Sequence, residues 1–203
     1  MKTTKLTCKM CRREGVSLCG KDNCAQKRRP YPPGVHGPTS RTRMTDYGKQ
    51  LREKQKAKRI YGVSEKQFNN YYQKAMKMKG DSGENLVRLL EMRLDNTVFR
   101  AGMAKTRAAA RQAVSHAHIE VNGKRVDVAS YQVKTGDIIK VRETKKEKST
   151  WKALVEATQK AEVPSWVILD TGNLEAKVTG QPSNEELQQS LFSSKLIIEF
   201  YSR

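Results

Sequence analysis

All four cysteines of the chain fall within seventeen residues. Cys8 and Cys11 have two residues between them, Cys19 and Cys24 have four, and seven residues separate the pairs. Two close pairs joined by a short loop can reach the corners of a tetrahedron about one Zn2+, a borderline-soft ion that thiolate suits. Lys9, Arg12, Arg13 and Lys21 lie close by in sequence; they favour deprotonated sulfur and offset the negative charge of a zinc tetrathiolate. Four cysteines would fill the coordination sphere, so the ion is expected to be structural and not catalytic. The expected cytosolic setting disfavours disulfides. An iron–sulfur cluster is the residual alternative, although nothing in the chain suggests a redox task. The metal's expected role is to fold an arm that cannot build its own core.

Basic residues surround this cluster. Arg12, Arg13, Lys27, Arg28 and Arg29 are followed by Arg41 and Arg43. Arginine's planar fork grips phosphate oxygens in pairs and stacks on exposed bases, and Tyr31 offers a further stacking ring. A second basic group comprises Arg93, Arg100, Lys105, Arg107, Arg111, His116, Lys124 and Arg125. A short helix packed on a hairpin would present these side chains as a rigid surface that reads RNA shape and phosphate. The competing reading of any one such residue is a solvated face, and for Arg93 and Asp95 it is helix packing, because Asp95 has the wrong sign for phosphate contact. No third partner follows His116 and His118 at ligand spacing, which favours surface or RNA contact over metal or acid–base roles. His36 sits in the turn sequence Gly34-Val35-His36-Gly37, where a structural or RNA-contacting role is expected.

The bulk properties agree with a polyanionic partner. The 203 residues include 40 Lys plus Arg against 21 Asp plus Glu, a formal net charge of +19. Such an excess destabilises an isolated compact chain by self-repulsion, and nucleic acid relieves it through phosphate neutralisation. Residues 1 to 60 carry a net +13, residues 61 to 149 a net +8, and residues 150 to 203 a net −2. The RNA-facing surface is therefore expected in the first three quarters of the chain. No run approaches the roughly 18 apolar residues of a membrane helix, and Met1 to Cys11 does not resemble a signal peptide. A cytosolic protein with reduced thiols, no membrane partner and no small-molecule substrate is expected.

The elements that must position these residues can be read from pattern. Residues 1 to 45 hold four of the six prolines and no apolar periodicity, so an extended arm is expected. A helix capped near Asp46 should run over 47 to 61 and end at Gly62. Ser64 with Gln67 forms a capping-box pattern for a second helix ending near Lys79. Leu86, Leu89, Leu90, Arg93, Leu94 and Val98 keep a 3.6-residue period, predicting one helix from Glu84 to about Arg100. Thr106 should cap a short helix through Val114. Ile119 to Val126, centred on Asn122-Gly123, reads as a hairpin because both central residues tolerate positive φ. Ile138 to Val141 reads as a strand, 142 to 150 as a charged linker and 151 to 162 as a helix. Val167 to Leu169 and Leu196 to Tyr201 read as strands.

At three stretches the residues carry a family resemblance. Arg93 to Gly102, Lys105 to Val114 and His118 to Asp127 are similar to the RNA-binding domain named after ribosomal protein S-four. Some pseudouridine synthases, tyrosyl-tRNA synthetases and ribosome-rescue proteins share that domain. Arg12 to Gly15, Arg29 to Gly37, Asp46 to Gly48, Leu51 to Lys56, Arg59 to Gly62 and Ile198 to Arg203 narrow it: nearly the whole chain resembles the bacterial small-subunit S-four ribosomal family.

The resemblance implies an α+β fold. Residues 1–45 would form a basic extension with a zinc knuckle, and 46–92 a helical domain completed by about 180–203. Residues 93–179 would form an inserted RNA-binding domain, core motif 93–141, with helices on a small antiparallel sheet. Arg52, Lys56 and Arg59, inside the matching stretches, join the candidate RNA contacts. The implied partners are the 5′ domain of 16S ribosomal RNA, bound early in 30S assembly, and neighbouring small-subunit proteins. mRNA is the third, in the tunnel through which it enters, near Arg41 and Arg43, with a contribution to translational accuracy. The implied place is the cytoplasmic small subunit. The knuckle departs from the family, many members of which lack some cysteines or have a longer loop between the pairs.

Two other classes fit the residues less well. An RNA-modifying enzyme carrying the shared domain would need a catalytic domain, and no stretch outside 93 to 141 offers room for one. A zinc-dependent DNA-binding regulator would place a recognition helix after the cysteines, where Pro30-Tyr31-Pro32-Pro33-Gly34 stands instead. A non-enzymatic RNA binder with no catalytic residues is the expectation.

Overall fold

A computed structural model of the chain describes residues 6–21, 23–39, 43–147, 151, 163–188 and 191–202. In chain order the helices among them are α1 (Cys8–Glu14), α2 (Ala25–Arg28), α3 (Asp46–Tyr61), α4 (Glu65–Lys77), α5 (Ser82–Glu91), α6 (Leu94–Arg100), α7 (Arg107–Ser115), α8 (Glu143–Lys146), α9 (Asn184–Gln188) and α10 (Ser194–Tyr201). The strands are β1 (Ile119–Val121), β2 (Lys124–Arg125), β3 (Ile138–Val141), β4 (Val167–Asp170) and β5 (Glu175–Val178). The chain forms two compact units, Met1–Gly83 with Ser190–Arg203, and Glu84–Gln189 inserted between them. The fold is α+β. None of the described helices is long and apolar enough to cross a membrane.

In the first unit, the Thr45 hydroxyl accepts a hydrogen bond from Gly48 N–H, so Thr45 caps α3 and Asp46 is already helical. Gly62 ends α3 in the left-handed region at φ 60°, where a side chain would be strained. Both halves of the Ser64–Gln67 capping box are present. Residues Leu196 to Tyr201 lie in helix α10, contrary to the strand expected from their apolar run. Their period fits a helix facing α3: Ile197 is fully buried, the Lys54 ammonium sits 4.3 Å above the Phe200 ring, and Tyr201 stacks on Tyr72 at 4.7 Å. The arm is also less extended than expected, since α1 and α2 are helical turns flanking the cysteine loop.

In the second unit a five-stranded antiparallel sheet has the order β2-β1-β3-β5-β4. Alternation puts Ile119, Val121, Ile139, Val141, Ala176 and Val178 into a core shared with Leu94, Val98, Ala110 and Val114 of α6 and α7. Asn122 and Gly123 both have positive φ, 51° and 74°, as the hairpin turn requires. Strand β5 had no clear sequence signal. The 142 to 150 stretch includes helix α8, where Glu143 pairs with Lys140 and Lys146. Of the helix expected over 151 to 162, residues 152–162 lie outside the described residues.

The single helix expected from Glu84 to Arg100 is broken. Arg93 takes extended backbone, φ −73° and ψ 138°, and bridges Gln132. Leu94 N–H donates to Tyr131 O, and Val133 N–H to Met92 O. Pairing with this segment competes with helix continuation, so α5 ends at Glu91 and α6 begins at Leu94. The Gln132 amide also donates to Leu89 O, which ties the end of α5 to the same segment.

Candidate metal centre and nucleic-acid interface

The Sγ atoms of Cys8, Cys19 and Cys24 lie within 4.8 Å of one another. Zinc–sulfur bonds of about 2.3 Å put the sulfurs of a tetrathiolate about 3.8 Å apart, so a small inward movement of these three satisfies the ion. Cys11 is fully buried beside them and hydrogen-bonds with Cys19 and Cys24. Burial pushes its thiol up to about 11. The Ser17 hydroxyl and the Gln26 backbone N–H hold Cys24 down to about 7. The three grouped sulfurs are soft donors, and Cys11 lies outside their group; α1 carries Cys8 and Cys11, and Cys24 stands at the entrance to α2. The donor set fits a structural ion.

Around the cluster the arm is held by polar contacts. Arg12 donates from Nε to Tyr31 O at 3.0 Å and from Nη2 to Pro32 O at 3.1 Å, and its guanidinium lies 4.7 Å from the Tyr31 ring centroid. A Cβ at Gly37 would stand 2.0 Å from Pro32 O, so the turn closes only around glycine. The Glu14 side chain is wholly buried, and its Oε1 accepts from both Arg52, at 3.2 Å, and Arg59. Arg52 and Arg59 thereby fasten α1 to α3. Lys56 pairs with Glu53 at 2.6 Å.

The second unit has a denser network. Arg93 reaches both oxygens of Asp95, at 3.0 and 2.8 Å, and Arg111 clamps Asp95 Oδ2 from Nε and Nη2 at 2.8 and 2.6 Å. All three residues are buried. Arg100 pairs with Glu91 through two hydrogen bonds of 2.9 and 3.0 Å. Arg107 donates to Asn96 Oδ1 at 2.7 Å and covers the Phe99 ring at 4.5 Å. These bonds are of the kind that the helix-packing alternative for Arg93 and Asp95 expects. Arg93 and Arg111 thus both direct guanidinium donors at Asp95.

The candidates sort by exposure. Arg13, Lys27, Arg28, Arg29, His36, Arg43, Lys105, His116, Lys124 and Arg125 face solvent. Arg12, Tyr31, Arg52, Lys56, Arg59, Arg100 and Arg107 are half-buried. Arg41 lies outside the described residues. The exposed hairpin ends with Lys124 and Arg125, the latter near Asp127 at 3.3 Å. His116 packs edge-on to His118, whose Nδ1 accepts from Trp151 Nε1 at 3.2 Å. Sequence reasoning missed Glu14 and Glu91, which hold Arg52, Arg59 and Arg100 in place. For Glu14 the available signal was its standing as a lone acid inside a basic stretch.

Two family models match the chain. The one described as ribosomal protein S4/S9 N-terminal domain covers residues 2–91, and the one described as S4 domain covers residues 92–139. Among curated relatives, the small ribosomal subunit protein uS4 of Natranaerobius thermophilus is 48% identical over 202 residues, 97% of this chain and 96% of the relative. That of Caldicellulosiruptor bescii is also 48% identical over 202 residues, with the same coverage. The uS4A protein of Alkaliphilus oremlandii is 48% identical over 206 residues, 98% of each chain.

Proposed function

The chain belongs to the uS4 family of small ribosomal subunit proteins, and from that membership we propose that it is a structural, non-enzymatic constituent of the small subunit that binds ribosomal RNA in the cytoplasm. One observation supports the binding mode most directly. Arg13, Lys27, Arg28, Arg29 and Arg43 are exposed on the arm and pair with no carboxylate among the described residues. Their charge is available to phosphate. The hairpin and α7 add Lys105, Lys124 and Arg125 from the second unit.

In finer terms, the RNA is the 16S 5′ domain, engaged early so that the protein nucleates subunit assembly. Residues near Arg41 and Arg43 meet mRNA where it enters, which bears on accuracy, and neighbouring small-subunit proteins complete the contacts. One zinc ion is held by Cys8, Cys11, Cys19 and Cys24; when bound it supplies four bonds that fix the arm, with no chemical step. Arg93 and Arg111 act at one remove, by fixing the angle of α6 and α7.

The test is binding of a 5′-domain transcript across about 50 to 200 mM salt. With six to ten phosphate contacts the association constant should fall about 10³- to 10⁵-fold over that range. A flat response would overturn the reading.

A further inference from the structure

We propose that the exposed face of α4 is an additional RNA-phosphate contact, carried by Lys66, Lys74 and Lys77. This rests on the RNA-binding reading and adds residues to it. The cations of the helical part of the first unit divide into two sets. Those on α3 are occupied: Arg52 and Arg59 by Glu14, Lys56 by Glu53, Lys49 by Asp46, and Lys54 and Lys58 by Glu65. Those on α4 form the second set. Lys66, Lys74 and Lys77 are exposed and meet no carboxylate among the described residues.

Their positions follow from the helix. Phe68, Tyr71 and Ala75 are buried and set the inward face of α4. Residues 66, 70, 73 and 77 recur every three or four positions on the outward face and 74 stands three and four from 77 and 70, so Lys66, Asn70, Gln73, Lys74 and Lys77 make one polar stripe. Steps of three or four residues climb about 4.5 to 6 Å each, and the stripe spans about 16 Å. It has three exposed ammonium groups with two amides between them and no acid. The only acidic residue of α4, Glu65, turns to Lys54, Lys58 and Tyr201. A solvated helix surface ordinarily mixes signs, as α3 does. A face cleared of acid, on a chain with net charge +19, suits a polyanion. Lysine suits such a role because it meets phosphate as a point charge without demanding fork geometry.

The full-length protein with Lys66→Gln, Lys74→Gln and Lys77→Gln together tests this. Lysine and glutamine have similar helix propensity, so α4 should persist, which thermal melting by circular dichroism checks. Binding to a 16S 5′-domain transcript is then measured against salt. The slope of log K against log salt should fall in magnitude by about two to three, near one for each phosphate no longer neutralised. At about 0.1 M salt, affinity should fall at least about tenfold. The charge-conserving Lys→Arg triple variant should bind as the parent does, and Lys49→Gln, a lysine already paired with Asp46, should leave the slope alone. A parental slope and affinity in the glutamine triple variant would overturn the inference, as would an equal drop from Lys49→Gln. A flat salt response of the parent itself would instead strike the RNA-binding reading.

Discussion

The cysteine-bearing arm and the inserted unit reach order by opposite means. Among the described residues up to 39, the buried ones are Cys11, Cys24 and Gly37, none with a large aliphatic side chain. The arm is instead tied by Arg12 on the Tyr31 and Pro32 carbonyls and by Glu14 on two arginines, and three of its sulfurs lie within 4.8 Å of one another. The inserted unit buries Leu94, Val98, Val114, Ile119, Ile139 and Val141 in a continuous core. It then sets a triad of buried charges, Arg93, Asp95 and Arg111, at the helix junction. Hydrophobic burial is non-directional and scales with area, so it suits a sheet with helices on one face. A short basic segment has too little apolar area and needs directional bonds to hold it.

Removing the proposed zinc should separate the two regions most. Chelation, or Cys11→Ser with Cys24→Ser, should unfold the arm, because structural zinc in small modules supplies about 10 kcal/mol or more of folding free energy. Limited proteolysis should then cut between residues 8 and 31 while fragments spanning 84–189 survive. Equal protease resistance with and without chelator would mean that the arm folds without its sulfurs being bridged.

Next in size is Asp95→Ala. It strands two buried guanidiniums and should cost about 3 to 5 kcal/mol, read as a lowered urea midpoint. A loss below about 1 kcal/mol would show that the apolar core alone sets the helix junction. Glu14→Gln should cost less, about 1 to 2 kcal/mol, because Arg52 and Arg59 are each about a quarter exposed and recover some solvation. Amide exchange should speed up in α1 and leave α7 unchanged; uniform acceleration would deny that Glu14 acts on the arm.

The smallest effect concerns Glu65, where α3, α4 and α10 meet. Burial alone would push its carboxyl up, but hydrogen bonds from Lys54, Lys58 and Tyr201 outweigh that and bring it down to about 2. A carboxyl lower in the folded than the unfolded state stabilises fully above about pH 4.5 and loses that contribution as pH falls through about 2. Its side chain is 47% exposed, so screening limits the effect to about 1 kcal/mol. Glu65→Gln should flatten the stability curve between about pH 5 and pH 2; an unchanged curve would exclude the carboxylate as the source.

Much of the molecule is legible in the sequence by itself. The cysteine spacing, the net charge, the Ser64–Gln67 box, the Thr106 cap and the Asn122-Gly123 turn each act within a few residues or in bulk, where chemistry and conformation need no distant partner. Tertiary structure alone decided matters that depend on residues far apart in the chain. The Leu196 to Tyr201 run suits strand or helix by composition, and the faces of α3 and Tyr72 select helix α10. Arg93 breaks the expected long helix because Gln132 and Asp95 wait for it. Which arginines are free for phosphate was equally hidden: a guanidinium's availability depends on whether a carboxylate such as Glu14 or Asp95 arrives beside it, and only folding brings Glu14 from 38 residues away to Arg52.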